Sequence, residues 1–189
     1  AAARRRVGVM MQGVELTPEL SVRELVALAA STYPAPLGVA DVLSLTRLEP
    51  LAARRYGTLS GGQKRLVQFA VAVCGRPALL FLDEPTANLD VEAREALWCT
   101  VRAMVERGAG VVLTTHHLEE AEALAHRVAV LSRGRLLATG SVSAVRALVF
   151  QPRSNAIKPL TTETTVFTVT VADGLAAPAS NNITSVRTT

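Results

Sequence analysis

The feature that most constrains this chain is an apolar run that ends in two carboxylates. Residues 78–82, A-L-L-F-L, lie between Pro77 and the acidic pair Asp83 and Glu84. A continuous apolar run bounded in this way predicts a strand that is buried on both faces of a parallel sheet. Open α/β sheets bind ligands at the carboxyl ends of their strands, which is where the two carboxylates lie. Because successive residues point in different directions, we expect Asp83 to face a metal ion and Glu84 to face a water.

A pair of glycines opens the helix that precedes this strand. The segment 59–65 reads L-S-G-G-Q-K-R, and the residues after it predict a helix over 63–73. Ser60 is a good N-cap, and the glycines allow a backbone to approach a ligand closely. The free N–H groups and the positive dipole at such a terminus favour an anion, above all a phosphate. Taken alone, the same letters also fit an ordinary helix that begins after a Ser-Gly turn.

Two further predicted strands end in polar residues. A short apolar run over 7–11 predicts a core strand followed by Gln12, and residues 110–115 predict a buried strand followed by His116. A histidine in that position can hydrogen-bond a phosphate oxygen or help to hold a water. We assign this role to His116 and not to His117.

The segments between these strands carry helix signals. A capping box at Ser21 predicts a helix over 21–31, and two short helices over 41–46 and 50–55 complete a small helical lobe. Asp90 predicts the N-cap of a helix over 91–107. In chain order, the remaining predictions are a helix over 118–126, a strand over 127–131, a strand ending near Gly140 and a helix over 141–150.

The composition changes after residue 151. Phe167, Val169 and Val171 alternate with threonines, which predicts one strand at an exposed edge of the sheet. A tail rich in Gly, Pro, Ser and Asn follows and is expected to be disordered.

Composition and charge narrow the class of partner. The net charge is +4, the arginines are scattered and only 4% of the residues are aromatic, so no stacking platform for nucleic acid is expected. No uncharged apolar run is long enough to cross a bilayer, and a cytosolic chain is expected. Cys74 and Cys99 have no metal or redox spacing, so both are expected to be reduced thiols.

Four motifs in this order resemble one known family. The L-S-G-G-Q segment, the strand with Asp83 and Glu84, the A-N-L-D segment that ends at Asp90 and the strand with His116 are together similar to the ATP-binding subunit of ABC transporters. The resemblance covers residues 1 to about 150. It implies an α/β fold, the P-loop NTPase-type sheet of ABC ATPases, truncated at its N-terminus and carrying a small helical subdomain. The implied divisions are the end of the core with the glutamine loop (1–12), the helical subdomain (13–62), the α/β core (63–150) and a C-terminal extension, partly disordered (151–189).

The resemblance also implies a role for each motif. Glu84 is the expected base, His116 the expected switch histidine, and Asp83 and Gln12 are the expected groups around Mg²⁺, with Gln12 also reaching the attacking water. The remaining residues serve ATP on a second ATPase subunit and the communication between two such sites: Ser60, Gly61, Gly62, Gln63 and Asp90.

The resemblance implies a transport function, with one departure. Lys64 and Arg65 after the signature glutamine are similar to the branch that exports drugs, lipids or polysaccharides. We therefore expect a homodimeric ATPase, peripheral on the inner face of the cell membrane and bound to a transmembrane permease subunit. These 189 residues contain no G-x-x-x-x-G-K-[ST] loop, which holds the phosphates of ATP, so the chain alone is expected to be inactive. The alternatives are a soluble ABC ATPase without a transport role and a non-catalytic fragment that lends its signature face to a complete partner.

Overall fold

A six-stranded sheet forms the centre of the molecule. The computed structural model describes residues 6–132 and 134–144 and the backbone of residues 165–170. The spatial order of the strands is β1-β2-β3-β6-β4-β5; β1, β2 and β3 are parallel, and β6 runs antiparallel to both of its neighbours. The strands are β1 (Val7–Met10), β2 (Leu79–Asp83), β3 (Gly110–Thr115), β4 (Val128–Ser132), β5 (Arg135–Gly140) and β6 (Thr165–Thr170).

Five named helices pack against this sheet and against one another. They are α1 (Val22–Ala30), α2 (Val39–Leu45), α3 (Gly61–Val73), α4 (Val91–Glu106) and α5 (Leu118–Leu124), with 3₁₀ turns at Glu49–Leu51 and Tyr56–Thr58. In the part of the chain that the structure describes, none of the helices is both long and apolar enough to cross a membrane. The predicted α/β class with a helical lobe is confirmed.

Helix α3 joins two separate cores. Its residues Val67 and Ala70 pack into the core of the helical lobe, together with α1 and α2. Phe69 and Ala72, on another face of the same helix, pack into the core beneath the sheet. The helix that begins at the two glycines is therefore rigidly held from both sides.

Local sequence signals account for the helix starts. The Ser21 hydroxyl accepts from the backbone N–H of Glu24 at 3.3 Å, and the backbone N–H of Ser21 donates to the Glu24 carboxylate at 2.8 Å, which is the predicted capping box. The Asp90 carboxylate accepts from the N–H of Ala93 at 2.8 Å and caps α4 as predicted. That helix ends before Gly108, whose φ of 90° suits glycine.

The predicted helix over 50–55 is wrong. Only a 3₁₀ turn forms there, over Glu49–Leu51, and Arg55 instead pairs with Ser21 in an isolated antiparallel bridge. This long-range pairing draws the segment into an extended conformation, which local propensity does not reveal.

The predicted edge position of the last strand is also wrong. Strand β6 lies between β3 and β4, with Thr168 in register with Leu113 on one side and with Val128 on the other. A period of two in the sequence indicates a strand but says nothing about how many neighbours it has. The predicted disordered tail lies outside the described residues, as does most of the helix predicted over 141–150.

Strand β2 is buried on one face rather than on two. Leu80 and Leu82 are buried, whereas Phe81 is 38% exposed and stands in register with Val9, which is 49% exposed. Helices cover one face of this part of the sheet, and within the described residues the opposite face of these two strands stays open to solvent. The prediction of burial on both faces is therefore incorrect.

A buried carboxyl group, that of Glu120, contacts residues at the ends of β2 and β3. Glu120 of α5 is 0% exposed, and the indole N–H of Trp98 donates to it at 3.4 Å. Burial raises the pKa of Glu120, and hydrogen bonds from the hydroxyls of Thr115 and Thr86 and from the indole lower it in part. This contact joins α5, α4, the end of β3 and the turn after β2.

We predict that Gly62→Ala destabilises the chain, whereas Gly61→Ala does not. A Cβ atom at Gly62 would lie 2.7 Å from the carbonyl oxygen of Asn88, and one at Gly61 would meet nothing within 4 Å. Overpacking of this kind lowers the free energy of unfolding by about 1–3 kcal/mol. Urea denaturation of the two variants, which differ by one position in the same helical turn, measures the difference. Equal stability of the two variants would contradict the packing argument.

We predict that Glu120→Gln removes a pH dependence of stability. Because folding raises the pKa of Glu120 above its ordinary value of 4.5, the protonated carboxyl stabilises the fold below that pH. This contribution is lost as the pH rises through the folded pKa. The stability of the variant relative to the parent should therefore increase with pH above 4.5, as measured by urea denaturation across that range.

The exposed neighbour provides the control for this prediction. The Glu119 side chain is 78% exposed, so Glu119→Gln should leave the dependence of stability on pH close to that of the parent. If Glu120→Gln keeps the same dependence as the parent, the burial of Glu120 does not control its protonation.

Candidate functional site

The ends of three parallel strands meet at Asp83. The Oδ1 atom of this residue accepts from the hydroxyl of Thr114 on β3, and its Oδ2 accepts from the backbone N–H of Gln12, just after β1, at 3.3 Å. Gln12 itself is exposed. The structure thus brings together two of the residues predicted from separate motifs.

Glu84 adopts a backbone conformation that is rare for its residue type. Its φ is 48°, in the left-handed region that residues other than glycine usually avoid. Its N–H donates to the carbonyl of Thr114 at 2.9 Å, and its carbonyl accepts from the Arg65 guanidinium at 2.7 Å. Hydrogen bonds on both sides hold the strained turn, a feature that clusters at functional sites.

The side chain of Glu84 contacts the predicted switch histidine. Nδ1 of His116 lies 2.8 Å from Oε2 of Glu84, whose side chain is only 14% exposed, whereas that of His116 is 60% exposed. The structure therefore pairs a sheltered carboxylate with an accessible imidazole. The prediction singled out His116, but the ring of His117 lies beside it, with ring centroids 4.0 Å apart.

The residue that sequence reasoning missed is Arg65. The sequence pattern assigns it no part in the site, yet the residue is only 7% exposed. Its guanidinium donates to the carbonyls of Met11 at 3.0 Å, of Glu84 and of Asp83, and so joins the ends of β1 and β2. The available signal was its position four residues before Phe69, on a buried stripe of α3.

The charge of Arg65 is stabilised where it lies. Burial lowers the pKa of Arg65, and the nearby Asp83 and Glu84 carboxylates, followed by Glu120, oppose that shift. A guanidinium is not deprotonated in proteins, so it stays charged, and its planar set of N–H donors can serve several carbonyls at once.

The L-S-G-G-Q segment, here called the signature segment, caps α3 and forms its first turn. The Ser60 hydroxyl accepts from the N–H of Gln63 at 3.2 Å, and the Gln63 side chain accepts from the N–H of Ser60 at 3.1 Å, so the capping box satisfies both N–H groups. Gly61 is exposed, and Gly62 packs on the turn that ends at Asp90. Among the described residues, no hydrogen bond joins this segment directly to the carboxylates of Asp83 and Glu84. Arg65, one turn further along α3, bonds the backbone carbonyls of those two residues.

The same helix holds the loop that follows Gln12. The Lys64 ammonium lies 3.1 Å from the Glu15 carboxylate, and the Gln68 amide donates to the carbonyl of Val14 at 2.5 Å. Together with the Arg65 contact to Met11, these bonds attach residues 11–15 to one face of α3. A displacement of α3 would therefore also move this loop.

Comparison with known proteins identifies relatives along most of the chain. The family profile described as "ABC transporter" matches residues 1–87. The chain is 42% identical over 144 residues to the Nod factor export ATP-binding protein I of Burkholderia thailandensis. The matched region covers 74% of this chain and 47% of that protein. The protein of the same name from Rhizobium sp. strain N33 is 41% identical over 148 residues, with coverages of 76% and 49%. The chain spans about half the length of the curated relatives it matches.

Solved structures show the same relationship. An ATP-binding subunit of an ABC transporter superposes with a TM-score of 0.67 at 30% identity, covering 77% of this chain and 63% of the other. A dimeric post-hydrolysis state of the cassette MJ0796, bound to ADP and Pi, superposes with a TM-score of 0.66 at 25% identity, covering 74% and 64%. The arrangement of Gln12, Asp83, Glu84 and His116 and these similarities agree, and the chain belongs to the ATP-binding domains of ABC transporters.

Proposed function

We propose that this chain is the ATP-binding and ATP-hydrolysing part of a bacterial ABC transporter that powers export through a separate membrane subunit. The observation that carries the proposal is the 2.8 Å contact between Glu84 and His116, beside Asp83 at the carboxyl ends of parallel strands. A sheltered carboxylate paired with an accessible imidazole suits the activation of a water next to a phosphate. The proposed direction of transport follows the names of the relatives, which are export proteins.

The donor set around Asp83 fits Mg²⁺. Magnesium prefers oxygen ligands, and Asp83 presents a carboxylate whose two oxygens are oriented by Thr114 and by the N–H of Gln12. We infer that Asp83 and the side-chain amide oxygen of Gln12 hold the ion. When bound, Mg²⁺ neutralises charge on the phosphates of ATP.

Glu84 is proposed as the general base. Its Oε2 already lies against His116, so a water at its other oxygen would transfer a proton to Glu84 as the water oxygen attacks the terminal phosphorus of ATP. The bond from that phosphorus to the bridging oxygen breaks, and ADP leaves. Nδ1 of His116, 2.8 Å from Oε2 of Glu84, would keep the carboxylate in one orientation. A protonated imidazole also has an Nε2 donor for a phosphate oxygen, so the same ring can orient both reactants.

The signature segment is proposed to act on the ATP of a second ATPase subunit. Ser60 and Gly61 in the first turn of α3 are exposed, and a Cβ atom at Gly61 would meet no described residue within 4 Å, which leaves room for a phosphate from a partner. Gly62 and Gln63 hold the shape of this turn, and the turn packed on Gly62 leads to Asp90, which would carry the communication between the two sites.

The proposed partners and location rest on the similarity to dimeric ABC cassettes and to export ATP-binding proteins. We infer a homodimer, with residues 13–62 as a helical subdomain that docks on a transmembrane permease and residues 63–150 as the catalytic core. The complex would lie on the cytoplasmic face of the cell membrane. One alternative is a non-catalytic chain that lends the first turn of α3, at Ser60 and Gly61, to a complete partner.

We predict that Glu84→Gln nearly abolishes ATP turnover without weakening ATP binding. The assay uses a version of the protein that carries a phosphate-binding loop ahead of Ala1. Glu84 acts on the water and not on the nucleotide, so its loss should slow the chemical step by about 10²–10⁴-fold. Steady-state phosphate release and nucleotide binding, measured on the same preparation, separate the two effects.

Two matched variants sharpen this test. Asp83→Asn should weaken Mg²⁺-dependent binding as well as turnover, because it removes a charge beside the metal. Glu92→Gln, at a side chain that is 88% exposed, should change neither. If Glu84→Gln hydrolyses ATP at the parental rate while Asp83→Asn is inactive, Glu84 is not the base.

We predict that the chain of residues 1–189 alone binds Mg·ATP poorly and hydrolyses it negligibly. The contacts of a phosphate-binding loop are charge-assisted hydrogen bonds worth about 1.5–3 kcal/mol each, and this chain has none of them. Calorimetric titration with Mg·ATP measures the binding. Micromolar affinity for this chain would overturn the prediction and would show that another element holds the phosphates.

A further inference from the structure

The structure gathers three potential metal ligands at the mouth of the site. Glu84, His116 and His117 each offer one ligand atom, and these atoms all lie within 4.8 Å of one another. We propose that these three side chains form a binding site for a divalent transition-metal ion of the Zn²⁺ type, separate in its ligands from the Asp83 and Gln12 position assigned to Mg²⁺.

The ligand types select the metal. Two imidazole nitrogens and one carboxylate oxygen, with a fourth position left to water, are a ligand set that Zn²⁺ commonly takes in open sites. Imidazole also suits copper, nickel and iron, whereas Mg²⁺ requires a shell of oxygens. The second histidine therefore makes the group of Glu84, His116 and His117 better suited to a transition-metal ion such as Zn²⁺ than to Mg²⁺.

The geometry needs only small side-chain movements. Zinc–ligand bonds of about 2.0–2.1 Å in a tetrahedral arrangement place ligand atoms about 3.3 Å apart. The two imidazole centroids are 4.0 Å apart with planes tilted by 39°, and Nδ1 of His116 is 2.8 Å from Glu84. Both histidines are exposed, so their rings have space to turn toward a common ion.

The backbone beneath the three ligands is already held. The N–H of His117 donates to the buried Thr115 hydroxyl at 3.0 Å, and the His117 side chain, although at the start of α5, makes no capping hydrogen bond. The backbone of Glu84 is held by Thr114 and Arg65. Ligands on a fixed backbone lose little freedom when a metal binds.

Metal binding replaces one existing contact. An ion that takes Nδ1 of His116 or Oε2 of Glu84 as a ligand takes the place of the 2.8 Å contact between these two atoms. The carboxylates of Asp83 and Glu120 nearby favour the positive ion, whereas Arg65 on the backbone side opposes it. If the proposed function holds, the metal would occupy the base and the switch histidine together and would inhibit turnover.

The experiment is a calorimetric titration of ZnCl₂ into the chelator-treated chain of residues 1–189, without a histidine tag. We expect one zinc ion per chain. His117→Ala and His116→Ala should each weaken binding by at least the ~10- to 100-fold that the loss of an outer-shell partner costs. The matched controls are His126→Ala, which removes the remaining histidine, and Cys99→Ser, which removes the exposed thiol; both should bind as the parent does.

Three results would overturn the site. They are no binding by the parent, parental affinity in His117→Ala, and loss of binding in His126→Ala or Cys99→Ser. Far-UV circular dichroism checks that each variant is folded, and His117→Asn, a much poorer ligand with a polar side chain at the same helix start, replaces the alanine variant if that one unfolds.

A second probe tests the coordination itself. Cobalt(II) bound by the parent should give the intense visible absorption of a four-coordinate site without a thiolate charge-transfer band, and a large excess of MgCl₂ should not displace it. A thiolate band or displacement by magnesium would contradict the proposal. Neither titration requires ATP hydrolysis, so a negative result here would leave the proposed ATPase function standing.

Discussion

The buried guanidinium of Arg65 is the interaction on which the geometry of the site depends. It reaches the carbonyls of Met11, Asp83 and Glu84, and thereby sets the end of β1 against the end of β2. Hydrogen bonds to a charged group contribute about 1.5–3 kcal/mol each, which offsets the cost of taking the charge out of water. A lysine could not replace it, because an ammonium lacks the planar fork that serves several carbonyls at once. The same side chain lies on α3, so the signature helix and the carboxylates form one unit.

The left-handed turn at Glu84 is a consequence of that arrangement. Thr114 accepts from its N–H and Arg65 donates to its carbonyl, so the backbone is held in a conformation that costs of the order of 1–3 kcal/mol. The turn directs the carboxylate toward β3, where His116 begins the next segment. The Glu120 network beneath, through Thr86 and Thr115, supports both turns from the side of α4 and α5.

Local chemistry made much of this structure predictable. The capping boxes at Ser21 and Ser60, the Asp90 cap and the run over 110–115 are each contained in a few neighbouring residues, and the structure has them where they were expected. The proximity of Gln12, Asp83 and Glu84 to His116 followed from strand ends meeting at one edge of a parallel sheet. The roles of these residues stay predictions, since geometry brings them together without testing what they do.

The amino-acid sequence by itself determined where helices begin, which segments are strands and which polar residues stand at the strand ends, because capping, periodicity and strand polarity are local. Only the tertiary structure decided the burial of Arg65, the open face at Phe81, the pairing of Arg55 with Ser21 and the interior position of β6. Each of these depends on which distant segment lies alongside. Burial and pairing are properties of two surfaces in contact, and a pattern along one segment specifies only one of them.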